Sequence, residues 1–80
     1  MAKNLESDLN FGIALLRVKE GDEVARASWE KGWYLVLQVA QDADGADVIL
    51  KVEPNGDKAE WKPTHEDLLA EDWEVTKEAE

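Results

Sequence analysis

The sequence has no cysteine, a single histidine (His65), two prolines and no long apolar run. Without cysteine there can be no disulfide staple and no thiolate zinc site, and one imidazole is a poor start for a structural metal. No stretch is apolar over the length needed to cross a bilayer, and the polar start, Met1 to Leu9, does not read as a signal peptide. A cytoplasmic protein without a membrane partner is therefore expected. Basic residues are also scarce. Nine Lys and Arg stand against nineteen Asp and Glu, a formal charge of −10. Long-range repulsion on that scale argues against duplex DNA or RNA. It leaves room for a small phosphorylated ligand with cations close at hand, because screening removes distant charges first.

Eighty residues bury little apolar area on folding. With neither disulfide nor metal available, association with further copies is the natural way to bury more, so a homo-oligomer is expected. Phe11, Ala14, Leu15 and Val18 recur at helical spacing, with Ile13 and Leu16 widening the apolar face; Asn10 can cap the helix and Gly21 can stop it. Strands are predicted over 23–27, with Val24 and Arg26 on one side, over 33–40, over 47–53 with Val48, Leu50 and Val52 inward, and over 58–61. Asp42-Ala43-Asp44-Gly45 reads as one turn, and Pro54-Asn55-Gly56-Asp57 as a hairpin turn of type I′. Thr64 and Asp67 have the spacing of a capping box for one or two helical turns, followed by a last strand over 73–76. The order is α+β: an N-terminal helix on an antiparallel sheet of four to five strands, with a short C-terminal helical turn. One domain over 9–76 is expected, with a loose leader at 1–8 and a frayed acidic tail at 77–80.

The chemistry concentrates in Arg26-Ala-Ser-Trp29-Glu-Lys31-Gly-Trp33-Tyr34. Aromatic rings interleaved with cations suit a phosphate-bearing base, since rings stack on the base while cations meet the phosphate. Trp33 and Tyr34 must point to opposite faces of one strand, so one is core and the other a possible pocket wall. Arg26 could be claimed by a phosphate or by a buried carboxylate. Thr64 and Asp67 serve the helical turn first, although a helix N-terminus can also receive an anion and Asp67 could accept from a ribose hydroxyl. Trp73 reads as core. The acidic residues around His65 are more simply a solvated face than a metal centre. The serines, Ser7 and Ser28, have no evident histidine partner, so neither a metal site, a cofactor nor a catalytic residue is expected.

Asn10-Phe11-Gly12, Ala14-Leu15, Gly21, Val24-Ala25-Arg26, Trp29 with Gly32, and Trp61-Lys62-Pro63-Thr64 running into Asp67-Leu68-Leu69-Ala70-Glu71-Asp72-Trp73-Glu74-Val75 resemble the type-two Thoeris anti-defence proteins of phages. The likeness covers about Leu9 to Val75. It implies a non-enzymatic sponge, tetrameric in that family, that binds a cyclic ADP-ribose isomer made by a bacterial immune enzyme. With such a ligand, the set expected to contact it here is Arg26, Trp29, Lys31, Tyr34, Trp61, Thr64 and Asp67, with Trp29 and Trp61 at the base and Arg26 with Lys31 at phosphate. A dimer is the smaller assembly to consider. A protein-binding module or a structural phage protein is the alternative. Glu30, His65 and Glu66 depart from the family pattern.

Overall fold

A computed structural model describes residues 5–40 and 44–79. Its elements are α1 (Phe11–Lys19), β1 (Glu23–Arg26), β2 (Tyr34–Gln38), β3 (Val48–Val52), β4 (Lys58–Glu60), α2 (His65–Leu69) and β5 (Trp73–Lys77). The strands form one antiparallel sheet in the order β4-β3-β2-β1-β5. The α+β reading holds, and the apolar 33–40 run supplies the central strand. The turn read at Asp42-Ala43-Asp44-Gly45 falls partly outside the described residues.

Asn10 caps α1 by accepting from the Ile13 amide at 3.0 Å, and Gly21 ends it at φ +100°, a conformation that costs a residue with a Cβ far more. The helix buries Ala14 and Val18 against Val24, Leu35, Trp73 and Val75. Its apolar face is narrower than expected, because Ile13 and Leu16 are 39% and 53% exposed; a nine-residue helix lying across a small sheet cannot tuck a full half of its circumference.

Strand alternation assigns the two sides of the sheet. Val24, Leu35 and Val75 face α1, and so do Ile49 and Lys51, which are paired with Leu37 and Leu35. Val48, Leu50 and Val52, expected inward, are paired with Gln38, Val36 and Tyr34 on the side away from α1; Val52 is fully buried there, whereas Val48 and Leu50 are only half-buried. The sheet is apolar on both sides, so alternation alone could not say which one the helix would cover.

The hairpin after β3 is present, but its turn is not type I′. The Gly56 amide donates to the Glu53 carbonyl at 2.8 Å, and positive φ is confined there to Gly56. This is a turn centred on Pro54-Asn55 followed by a glycine bulge. A type I′ turn over Asn55-Gly56 needs positive φ at both residues, and Asn55 does not have it; Pro54, with φ near −65°, instead favours the first central position of an ordinary turn.

The leader expected at 1–8 and the tail expected at 77–80 fall partly outside the described residues, and the described parts are hydrogen-bonded into the fold. The Glu6 carbonyl accepts from the Val75 amide at 2.8 Å, and Leu9 and Trp73 exchange backbone hydrogen bonds of 2.9 and 3.1 Å. The segment 6–9 thus runs along the outer edge of β5. At the other end, β5 continues to Lys77, and the Ala79 amide donates to Asp22 at 2.7 Å.

Candidate functional site

Trp73 is the hub from which the site is built. Fully buried, it donates its indole N–H to the Asp67 carbonyl at 2.9 Å, so its polar edge is satisfied inside the core. Phe11, Trp29 and Trp61 all lean on it, with ring centroids 5.4, 5.4 and 5.9 Å away. Trp61 also meets Phe11 at 5.6 Å. These rings make one aromatic cluster on the helix side of the sheet.

Beside the cluster, Arg26 is held by three carboxylates. Its guanidinium donates to Asp72 at 2.9 Å, Asp67 at 3.1 Å and Glu66 at 3.2 Å, and its side chain is only 11% exposed. Asp72 receives the Ser28 amide as well, at 3.3 Å, which fastens the start of the β1–β2 loop. The hydrogen bond from Arg26 holds the Asp72 carboxyl below the usual carboxylate range and outweighs the opposing effect of burial. Asp67 is shared. It completes the capping box with Thr64, through bonds of 3.1 and 3.2 Å, while its other oxygen takes Arg26. Of the two readings of Arg26, a carboxylate partner is the one observed in this chain.

An open groove of about 650 Å³ lies where the β1–β2 loop meets the sheet. Arg26, Trp29, Lys31 and Tyr34 all line it, together with Trp33. Trp61, Thr64 and Asp67 do not; they belong to the helix side, around Trp73 and Arg26. The loop is held over the groove by Gly32, at φ +100°, where a Cβ would come within 3.0 Å of Pro54. Glu23, Glu30 and Glu74 also reach the groove, against Lys31 and Lys77, so its walls carry both signs.

Sequence reasoning passed over Lys51. Its ammonium sits 4.1 Å from the ring centroid of Trp29 and 5.0 Å from that of Trp33, close enough for cation–π attraction to both. The available signal was its place in β3, two residues after Ile49 on the same side, where a charge among apolar residues needs a partner.

A second cleft, of about 480 Å³, separates α1 from the chain ends. Arg17 spans it to Glu6 at 2.7 Å and Glu20 at 3.1 Å, and the bond from Arg17 lowers the Glu6 pKa. Among the described residues no group of three or more His, Cys, Asp or Glu side chains is placed to hold a metal ion, and no helix is long and apolar enough to cross a membrane.

The family model for the Thoeris anti-defense 2-like domain matches residues 9–76. The chain belongs to the Tad2-like family. The match runs from α1 to all but the last residue of β5 and takes in the aromatic cluster, the Arg26 network and most of the groove lining of this Tad2-like domain. An anti-defence role directed at Thoeris follows from the family. No curated protein matches the chain.

Proposed function

We propose that this protein acts as a non-enzymatic sponge, binding a cyclic ADP-ribose isomer in the bacterial cytoplasm and so silencing Thoeris defence. The observation that carries this reading is the groove itself: in a Thoeris anti-defense 2-like domain, Trp29, Trp33 and Tyr34 are gathered with Lys31 around one opening. Flat rings take the base, at about 1–3 kcal/mol for each stacked base, and Lys31 offers the ammonium for phosphate. Arg26 shapes the wall, since three of its N–H groups are already engaged by carboxylates. Trp61, Thr64 and Asp67 act from the other side of the sheet by fixing Trp73 and Arg26.

The groove is open in the single chain. A second copy laid against the side of the sheet bearing Val36, Val48 and Leu50 would bury apolar surface and wall in the ligand, which favours a homo-oligomer, a tetramer or at least a dimer. Sequestration needs affinity tighter than the signal concentration. Nanomolar binding corresponds to about −12 kcal/mol, more than an open trough supplies. Calorimetry with purified cyclic ADP-ribose isomers, followed by heat denaturation and mass spectrometry of the released ligand, tests the reading. Saturable binding and full recovery of intact ligand support it; absence of binding, or a hydrolysis product, overturns it.

A further inference from the structure

Trp29 and Trp33 have two kinds of neighbour. Both line the groove, and both carry the Lys51 ammonium against their rings, at 4.1 and 5.0 Å. Lys51 itself is outside the groove lining. It is paired with Leu35 and Ala59 and so rises on the helix side. A positive charge is thus fixed against two rings that border the groove, without bordering it itself.

An indole face attracts cations because its π density is negative. An ammonium behind the ring draws on that density, and a second cation in front would meet the first charge through a single ring. A base stacked on the groove side of Trp29 and the ammonium behind it would stand roughly 9 Å apart, a separation at which like charges still repel appreciably in a partly buried setting. A neutral base meets no such penalty.

We propose that Lys51 is a selectivity residue: it tunes Trp29 and Trp33 so that the groove accepts a nucleotide with an uncharged base and rejects one whose base is cationic. This rests on the sponge reading of the groove and adds to it the class of base admitted. The effect belongs to the charge on Lys51, so arginine preserves it and a neutral side chain of similar length removes it.

The test is a cycle that crosses a change in the protein with a change in the ligand. The probes are a cyclic ADP-ribose isomer closed between its two riboses, whose adenine is neutral, and the same molecule methylated at adenine N1, whose base is cationic at pH 7. Affinities of both for wild type, Lys51→Met, Lys51→Gln and Lys51→Arg are measured by calorimetry, with thermal melts confirming the fold of each variant. Steric effects of the methyl group are common to all the proteins and cancel in the ratio. The preference of wild type for the neutral base should fall by about tenfold in Lys51→Met and Lys51→Gln and persist in Lys51→Arg. An unchanged preference in the neutral variants, with wild type binding normally, overturns this inference and leaves the sponge reading standing. Failure of wild type to bind the unmethylated isomer overturns both. If Lys51→Met does not fold, Lys51→Gln decides the matter, and Lys51→Arg reports whether charge rather than shape is responsible.

Discussion

Asp72 and Arg26 show how one residue pair ties the candidate site to the core. Arg26 lies on β1, Asp72 immediately precedes β5, and the Ser28 amide at the root of the groove loop bonds to the same carboxylate. Asp72→Asn leaves Arg26 with Asp67 and Glu66 but weakens its best contact, and we expect a loss of about 1–2 kcal/mol in urea unfolding. The pH dependence has a defined sign. Asp72 and Glu6 both have lowered pKa values in the folded chain, so folding holds them ionised more readily than the unfolded state does. Their contribution is complete above the ordinary carboxylate range and is lost as pH falls through the folded values, below about pH 4. Melting temperature should be flat from pH 7 to 5 and decline below about pH 4, with a shallower decline in Asp72→Asn. At the groove, Trp29→Ala removes a ring that also packs edge-on against Trp73. It should weaken nucleotide binding by about tenfold or more in calorimetry, and parallel melts separate that loss from any loss of stability.

At the scale of elements, α2 is five residues long and too short to persist alone, so its cap and its docking onto Trp73 must hold it. Thr64→Ala removes one arm of the capping box and should cost about 1 kcal/mol in denaturant unfolding. The β1–β2 loop depends on Gly32, whose positive φ and close approach to Pro54 both oppose a side chain. Gly32→Ala should destabilise the fold by more than about 1 kcal/mol and alter tryptophan emission, because Trp29 and Trp33 ride on that loop. The capping box and the α1 cap were legible in the sequence because each is a local interaction within three residues. The Pro54 turn was misjudged for the opposite reason: Asn-Gly suggested one geometry, and the proline preceding it imposed another. Lys51 was missed because its partners, Trp29 and Trp33, are about twenty residues away along the chain and meet it only after β2 and β3 have paired.

For the whole molecule, the central strands β2 and β3 are apolar on both sides of the sheet while only one side carries α1. Val36, Val48 and Leu50 on the other side are half-buried, an arrangement suited to a neighbouring copy. Light scattering should give a mass above that of one chain, and Leu50→Glu should shift it toward the monomer, whereas Lys19→Glu on α1 should not. The sequence by itself determined the elements and their order, the helix caps, the burial of Trp73 and, through an extended motif, the family. Each of those depends on interactions between near neighbours or on the number of apolar side chains available. Only the tertiary structure decided which side of β3 meets the helix, that carboxylates of Glu66, Asp67 and Asp72 claim Arg26, and that Lys51 lies against the groove tryptophans. These choices turn on strand register and on residues as many as forty-six positions apart, and no local preference encodes such distances.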